Sequence, residues 1–315
     1  MPSVKDINEY LSLIAPLNYK MDFDNVGFLV GCAEAEISHI LISLDITSDV
    51  ITEALDTGAQ LIVSHHPLFF SLKTVTDQDI IGRKIVRMLS GGLSAICMHT
   101  NLDAARGGVN DALAAAAGIT HEPDEAFEVG IQEDQIIIGQ AELFTVNEAD
   151  PLAINQAYPL ASGQANQFTF GQAELLNEDG FLPYGEPFSY GRVGYLKSPC
   201  SLPEYLASLK KALGTNGLRY HNAGRDVYKV AVEGGSGGDA FSHAIEKGCD
   251  TFITADIKYD VFLEAKELGI NLIDGDHYCT ENLVTGVLAE KLRGAFPSVN
   301  VSISAKHKQT TQFYV

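Results

Sequence analysis

The sequence predicts an α/β protein with two related α/β lobes and a small β-rich insertion between them. Three observations lead to this fold class. Short apolar runs alternate with segments of helical periodicity over residues 1–120, the same alternation resumes over residues 191–315, and the stretch between them lacks it. Alternating strands and helices are typical of a mostly parallel sheet with helices packed on it. The similar order in both halves predicts that the lobes are related.

The N-terminal lobe, residues 1–120, opens with a helix predicted over Asp6–Ile14, which ends before Pro16. The stretch Asp22–Gly27, which contains Asp24 and Asn25, is typical of a turn by composition. The alternation then begins. Its predicted elements are strand His39–Asp45, helix Ser48–Asp56, strand Ala59–Val63, helix Asp79–Leu89, strand Ser94–Met98 and helix Val109–Ala117.

The insertion, residues 121–190, has a different character. Gln, Asn, Glu and Pro are frequent, and long helical periodicity is absent from the sequence. Two short runs, Gln135–Gly139 and Gln167–Gly171, predict strands. We therefore interpret this stretch as a small polar β-rich segment.

The C-terminal lobe, residues 191–315, returns to regular alternation. A glycine-rich run, Glu233–Gly238, stands between a strand and a helix. The predicted elements are strand Gly191–Leu196, helix Leu202–Leu213, strand Val227–Val232, helix Asp239–Lys247, strand Thr251–Thr254, helix Val261–Leu268, strand Asn271–Ile273 and a helix that opens near His277 and runs through Leu292.

Composition excludes several classes of function. The chain has 315 residues, is 46% hydrophobic and 20% charged, and carries a formal net charge of −20. This charge argues against general binding to DNA, RNA or anionic membranes, because such binding needs a basic surface. A small anionic substrate stays compatible with it, since bound metal ions reverse the local field.

The sequence predicts a cytoplasmic protein. No segment approaches the roughly 18 apolar residues of a membrane span, and residues 1–8 lack the basic start and apolar core of a signal peptide. The five cysteines include no Cys-x-x-Cys pair, so a cysteine zinc site or redox motif has no support. We expect reduced cysteines in a reducing compartment.

Three polar clusters each stand at the carboxyl end of a predicted strand. Ligands gather at the carboxyl ends of strands in open α/β sheets, so clusters that are distant in sequence can meet in space. The clusters are Ser64-His65-His66, His99-Thr100-Asn101-Leu102-Asp103, and Asp276-His277 with Glu281.

These residue types suit a pair of metal ions. His65 and His66 would point to opposite faces of a regular strand, so one ion could not easily take both, whereas two ions could take one each. Glu281 lies four residues after His277, on the same helix face, and its two oxygens could bridge two ions. Asp103 supplies a second carboxylate. Each ion then has three protein ligands and an open position, as a catalytic site requires. Mixed nitrogen and oxygen donors suit Zn, Fe, Mn, Co or Ni without selecting among them.

Simpler interpretations stay open for each cluster taken alone. His99 could cap a helix, His65 and His66 could be packed residues, and Glu281 could be an ordinary carboxylate in the first turn of a helix. The run Gly234–Gly238 could cradle an anion at a helix N-terminus, but close backbone packing is the favoured interpretation. At another strand end, Asp256 and Lys258 could line the cleft or lie in a solvated loop.

The combination of motifs resembles a known family. The motifs are Asp24-Asn25-Val26-Gly27, Ser64-His65-His66-Pro67, His99-Thr100-Asn101-Leu102-Asp103, Gly191-Arg192-Val193-Gly194, Gly234-Gly235-Ser236-Gly237 and His277-Tyr278-Cys279-Thr280-Glu281. In this order they resemble the dinuclear-metal-centre family, the NGG-one interacting factor-like proteins, whose bacterial members are named GTP cyclohydrolase 1 type 2 homologues. The resemblance covers both lobes.

The resemblance implies two metal ions held by His65, His66, Asp103, His277 and Glu281, with two lobes facing each other across a metal-bearing cleft. It also implies a toroidal homohexamer with the metal sites facing an inner cavity. Two positions depart from the family's pattern. Asp276 stands where glycine is usual before the last histidine, and Asp260 stands where histidine often follows Lys258-Tyr259.

The leading functional hypothesis is a metal-dependent hydrolase with a metal-activated water. The family name suggests GTP as the substrate, by attack on its guanine imidazole ring, and His99 is the candidate for proton transfer or for support of the ligands. The alternative is a metal-binding regulatory or scaffold protein that acts through a protein partner without catalysis. A hydrolase of another phosphoester or a cyclic amide is a third hypothesis.

Overall fold

The computed structural model describes residues 1–120, 174–177, 180–181 and 190–314. Its strands are β1 (Gly27–Val30), β2 (His39–Ser43), β3 (Leu61–Ser64), β4 (Ser94–Cys97), β5 (Glu174–Asn177), β6 (Gly180–Phe181), β7 (Gly191–Cys200), β8 (Arg219–His221), β9 (Val227–Val232), β10 (Thr251–Thr254), β11 (Asn271–Asp274) and β12 (Asn300–Ile303). Its helices are α1 (Val4–Ile14), α2 (Ser48–Thr57), α3 (Ile80–Ser90), α4 (Thr100–Ala104), α5 (Val109–Ala116), α6 (Leu202–Leu213), α7 (Phe241–Glu246), α8 (Tyr259–Leu268), α9 (His277–Glu281) and α10 (Leu283–Ala295).

The described strands form two sheets, which confirms the predicted α/β class. The first sheet has the order β1-β4-β3-β2-β12, and the second has the order β6-β5-β7-β9-β10-β11-β8. In the first sheet β12, β2, β3 and β4 are parallel, and β1 is antiparallel to β4. In the second sheet β9, β10 and β11 are parallel, and their neighbours β7 and β8 are antiparallel to them.

Helices cover both faces of the first sheet. Successive side chains of a strand point to opposite faces, and the strands of this sheet are apolar on both. Ile40 and Ile42 of β2 pack with α1 and α10 on one face. Leu41, between them, packs with α2 and α3 on the other face. Each fully buried side chain of this kind stabilises the fold by about 1.5–3 kcal/mol.

The second sheet repeats this arrangement. Val230 and Val232 of β9 pack with α5 and α6, whereas Ala231 faces α7 and α8. Phe252 of β10, fully buried, lies on the α7 and α8 side. Both sheets are therefore the centre of three-layer units, as the alternation of the sequence predicts.

The chain crosses between the two sheets more than once. Helix α5 contributes Val109 to the core of the first sheet and Leu113 to that of the second. After the second sheet, α10 packs Val284 and Leu288 on the first sheet, and β12 pairs with β2. The lobe boundaries at residues 120 and 190 stay predictions, but residues 283–303 pack on the first sheet. The short strands β8 and β12 lie outside the predicted alternation.

One predicted helix is divided in the structure, and two predicted strands lie outside the described residues. The predicted continuous helix through Leu292 is divided at Asn282 into α9 and α10. The strands predicted over 135–139 and 167–171 lie outside the described residues, whereas β5 and β6 pair with each other and β5 pairs with β7. In the described part of the chain, no helix has both the length and the apolar character needed to cross a membrane.

Candidate metal centre

Strand register brings the polar clusters of the first sheet to one edge. Ser43 pairs with Ser64, and Ser64 pairs with Cys97, so β2, β3 and β4 end side by side. The residues that follow these strands, His65 and His99 among them, therefore emerge at the same edge. Helix α9, which directly follows β11 of the second sheet, carries His277 and Glu281 to this edge.

Glu281 lies at the centre of the assembled residues. Its side chain is only 5% exposed, and its Oε2 lies 2.8 Å from Nε2 of His66 and 3.0 Å from Nε2 of His277. The two imidazole Nε2 atoms are 3.4 Å apart. We call His66, His277 and Oε2 of Glu281 the outer group, because it borders a cavity described below.

The second oxygen of Glu281 belongs to a deeper set of atoms. Nε2 of His65 lies 3.8 Å from Oε1 of Glu281 and 3.5 Å from Oδ1 of Asp103. We call His65, Asp103 and Oε1 of Glu281 the inner group. The His65 side chain is fully buried, and neither its Nε2 nor Oδ1 of Asp103 has a hydrogen-bond partner among the described residues. Leaving such a buried polar atom unpaired costs about 1–3 kcal/mol.

All three imidazoles of these groups present Nε2 because Nδ1 is held from behind. Nδ1 of His65 donates to the backbone carbonyl of Met98 at 2.8 Å. Nδ1 of His66 donates to Oδ1 of Asp45 at 2.8 Å, and Nδ1 of His277 donates to Oδ2 of Asp256 at 2.7 Å. Histidines that bind metal ions almost always donate their other ring N–H to a carbonyl or carboxylate, which fixes the tautomer and the ring orientation.

The glycine-rich run permits a close approach to Glu281. A Cβ atom on Gly235 would lie 2.1 Å from Oε1 of Glu281, and the φ of Gly235, +65°, favours glycine. The backbone N–H of Gly235 donates to Oγ1 of Thr280 at 3.1 Å. The run therefore packs its backbone against the centre.

Burial and neighbouring charges perturb the ionisation of the two carboxyl groups. Burial opposes ionisation of Glu281, but the close contacts of its carboxylate with the imidazoles of His277 and His66, together with the nearby ring of His65, outweigh burial and hold the pKa of Glu281 well below its usual range. Burial, and then the charge of Glu281, raises the pKa of Asp103 well above its usual range. Two buried carboxyl groups this close favour a bound cation.

The pKa values of the three imidazoles are shifted in different directions. Burial lowers the pKa of His65. For His66 and His277 burial also acts to lower the pKa, but their carboxylate partners dominate and raise the pKa of His66 to about 10 and that of His277 to about 9. These carboxylate contacts therefore favour the protonated form of each ring in the outer group.

His99 lies beside both groups. Its Nδ1 donates to Oδ1 of Asp24 at 2.8 Å, and one nitrogen from each of His65, His66 and His99 lies within 4.8 Å of the others. Burial opposes ionisation of Asp24, but hydrogen bonds from His99 and Thr100 lower its pKa below the usual range. Asp24, which composition alone assigns to a turn, thus holds the ring of His99.

A cavity of about 530 Å³ opens on the outer group. His66 and His277 line it, and Arg219 brings a guanidinium group to its wall. Nη2 of Arg219 donates to Oδ2 of Asp274 and to the carbonyl of Ile257. The other lining residues are Leu44, Asp45, Asp256, Asp274, Asp276, Tyr278, His307, Gln309, Thr310, Thr311 and Phe313.

The two departures from the family's pattern have different surroundings. Asp276 has a φ of +73°, in the left-handed region that favours glycine. Its carboxylate compensates by capping α9 through the N–H of Cys279 at 3.1 Å, and it also accepts from Nε2 of Gln309. Asp260 is exposed in the first turn of α8.

The structure brings together all six residues singled out from the sequence: His65, His66, His99, Asp103, His277 and Glu281. Their roles stay predictions, because proximity alone does not establish ligation or catalysis. Asp45 and His307 were not among the residues predicted from the sequence. The position of Asp45 just after β2, at the same sheet edge, was a signal that could have identified it, whereas no motif or strand end marks His307. Asp256 accepts a hydrogen bond from Nδ1 of His277 and lines the cavity. These contacts favour the interpretation of Asp256 as a cleft residue over its interpretation as part of a solvated loop.

The donors fit metal ions on the evidence of the chain itself. Inward-facing nitrogen and oxygen atoms converge, and two of them are buried without a hydrogen-bond partner in the described residues. His66, His277 and Glu281 also satisfy the spacing of a three-ligand site. These donors suit the divalent transition ions named above.

Known proteins resemble this chain over nearly its whole length. The model of the family described as Duf34/NIF3 (NGG1p interacting factor 3) matches residues 2–311. A Clostridium perfringens protein named GTP cyclohydrolase 1 type 2 homolog is 31% identical over 313 residues, covering 98% of this chain and 99% of that relative. A Bacillus subtilis protein of the same name is 29% identical over 337 residues, with 90% of each covered.

Solved structures share the fold. A Bacillus cereus protein related to NIF3 superposes with a TM-score of 0.76 at 23% identity, covering 100% of this chain and 99% of that chain. Reduced HcgD from Methanocaldococcus jannaschii has a TM-score of 0.68 at 22% identity, covering 96% and 97%. At these identities the likeness concerns the fold alone.

Proposed function

Because this chain belongs to the Duf34/NIF3 (NGG1p interacting factor 3) family, we propose that it is a hydrolase that uses two divalent metal ions. The observation that carries the proposal is the position of Glu281, whose two carboxylate oxygens take part in different groups. One ion is assigned to the inner group and the other to the outer group. Zn, Fe, Mn, Co and Ni all suit these donors.

Different residues of the chain have different roles in the proposed reaction. The inner and outer groups would each hold one ion, and when bound the pair would supply an activated water at neutral pH and a Lewis acid for the bond under attack. The chain orients the three imidazoles through Met98, Asp45 and Asp256. The ionised Glu281 provides a negative charge between the two groups.

His99 is assigned to proton transfer. Its Nδ1–H is held by Asp24, so Nε2 is the atom that takes up or gives the proton. His99→Gln should therefore bind two ions and lose most of its hydrolytic activity.

GTP is the substrate to test first, because relatives are named GTP cyclohydrolase 1 type 2 homolog. Arg219 lies on the wall of the cavity beside the outer group and could donate to phosphate oxygens, and two bound ions would offset the four aspartates of the same wall, so a substrate with an anionic portion is compatible with this site. The purified protein is loaded with Zn, Mn or Fe and given GTP, and formate is measured. We expect formate from the wild type, none from Glu281→Gln, and a KM roughly tenfold higher for Arg219→Ala than for the control Arg225→Ala.

The outcomes separate the hypotheses. If no metal supports formate release, GTP is not the substrate, and a screen of phosphoesters and cyclic amides tests the hydrolase itself. If the wild type and Glu281→Gln behave alike across that screen, the hydrolase proposal is wrong and the scaffold alternative gains support. That alternative further predicts that His65→Ala loses metal but still captures the protein partner.

The proposal includes a homohexameric toroid in the cytoplasm. The cytoplasmic assignment is supported by the cysteines, all five of which lie in the described residues and none of which forms a disulfide. Light scattering of the purified protein should give a mass six times that of the chain. A monomer or dimer at micromolar concentration would contradict the toroid.

A further inference from the structure

We infer that His307 is a positioning residue for the outer group, acting through Asp45 on His66. The inference rests on the proposed function to the extent that it requires metal ions at the two groups. It assigns a role to residues 304–311, which lie beyond every motif of the sequence and form part of the cavity wall. We call residues 304–311 the tail segment.

A chain of hydrogen bonds links the tail segment to the outer group. Nε2 of His307 donates to Oδ2 of Asp45 at 2.9 Å, and Nδ1 of His66 donates to Oδ1 of the same carboxylate at 2.8 Å. Nε2 of His66 then lies 2.8 Å from Oε2 of Glu281. The carboxylate of Asp45 is thus held at both oxygens, which fixes its plane and, through it, the ring of His66.

His307 is itself held firmly. Its side chain is only 9% exposed, and its ring packs edge-on against Tyr278 with centroids 5.3 Å apart. The hydroxyl of Tyr278 donates to the backbone carbonyl of His307 at 3.4 Å. Because Tyr278 directly follows His277, the same helix that carries two of the proposed ligands supports the ring of His307.

The tail segment is anchored at both ends. On one side, Glu53 of α2 accepts from the backbone N–H of Ala305 at 2.8 Å and of Lys306 at 3.2 Å, and also from the hydroxyl of Ser304. On the other side, Gln309 donates to Asp276, the residue that stands at a positive φ. These contacts hold the backbone that presents His307.

The inner group does not depend on the tail segment in this way. Nδ1 of His65 is held by the carbonyl of Met98, a backbone atom fixed beside the sheet. A change at His307 should therefore affect one of the two ions and leave the other unchanged. This selectivity distinguishes positioning from a general loss of stability.

Zinc titration of the metal-free full-length protein tests the inference. Stepwise binding is followed by calorimetry against a competing chelator, and bound zinc is counted by mass spectrometry after dialysis. His277→Ala, which removes an outer ligand, identifies the binding step of the outer group. We expect His307→Ala to weaken that step about tenfold, the lower end of the range for residues that support metal ligands, and to leave the other step unchanged.

Two variants serve as controls within the tail segment. His307→Gln keeps an N–H near the position of Nε2 and should bind zinc within about twofold of the wild type. Lys308→Ala changes an exposed neighbour and should leave both steps unchanged. If His307→Ala does not fold, Glu53→Ala releases the tail segment at a distance and should weaken the same single step.

Each other result contradicts the inference. Unchanged titration of His307→Ala, or of Glu53→Ala in its place, would show that His66 needs no such support. An equal loss in both steps would show a general effect on the fold. If the wild type binds neither zinc nor Mn, Fe, Co or Ni in the same titration, the proposed function fails and the inference fails with it, whereas two normal steps in both wild type and variant would contradict the inference alone.

Discussion

The inner and outer groups share one carboxylate but lie in opposite environments. In the inner group, Nε2 of His65 and Oδ1 of Asp103 are buried and have no hydrogen-bond partner among the described residues. In the outer group, Nε2 of His66 and of His277 both lie within 3.0 Å of Glu281, and both rings border the cavity. The inner group thus presents polar atoms that the described residues do not pair, whereas the polar atoms of the outer group pair with one another.

This difference suggests a division of roles between the ions. An inner ion would satisfy buried atoms that nothing else in their surroundings pairs, so it should bind tightly and exchange slowly. An outer ion must displace protons from two imidazoles and lies where a substrate can enter.

The largest effect is expected from Glu281→Gln, because Glu281 belongs to both groups. The variant keeps the size of the side chain but loses its charge and one acceptor oxygen. Both zinc-binding steps should weaken by more than the roughly 10–100-fold that loss of a supporting residue costs. Bound zinc is counted by mass spectrometry after dialysis, with the exposed Glu267→Gln as a matched control. Loss of only one step would show that Glu281 does not join the groups.

Asp103→Asn should change stability with opposite sign in the two states of the protein. In the metal-free protein the folded-state pKa of Asp103 is raised, so its contribution to stability falls as pH rises above the unfolded value. At pH 8 the metal-free variant should therefore melt above the wild type, by roughly 2–4 °C per kcal/mol relieved. With zinc bound, the wild type should melt higher, because the inner ion stabilises only the folded state.

Melting curves in chelator and in zinc measure this sign change. Asp260→Asn, an exposed substitution on α8, should shift neither curve. If Asp103→Asn destabilises the metal-free protein at pH 8, the inner carboxyl groups do not repel each other as described.

The outer ion should bind more tightly as the pH rises. His66 and His277 bind a metal ion only when neutral, but their pKa values are raised to about 10 and about 9 in the metal-free protein. The affinity of the outer step should therefore rise with pH from 6 to 9, with release of up to two protons. Calorimetry in buffers of different ionisation enthalpy counts the protons. An affinity that is flat over this range would contradict the raised pKa values.

The residues of the two groups were easier to predict from the sequence than the residues that hold them in place. His65, His66, Asp103, His277 and Glu281 follow strand ends, and parallel register brings strand ends together whatever the details of packing. The residues that hold them obey no such rule. Asp45 also follows a strand, but a single carboxylate carries no motif, and His307 reaches the site only because β12 crosses to the first sheet.

The same limit applies to the fold. Alternation of apolar strands and amphipathic helices identified the α/β class and most of the described elements. It did not reveal that α10 and β12 pack on the first sheet, because apolar spacing specifies that a helix face is buried but not which sheet buries it. The break at Asn282 is likewise invisible to periodicity, because α9 and α10 follow each other directly.

Anomalous diffraction from crystals of the zinc-loaded protein tests the central claim most directly. Data collected on both sides of the zinc absorption edge locate the ions independently of the protein atoms. We expect two peaks on either side of the Glu281 carboxylate, one contacting His65 and Asp103 and the other contacting His66 and His277. A single peak, or two peaks that do not share Glu281, would contradict this claim.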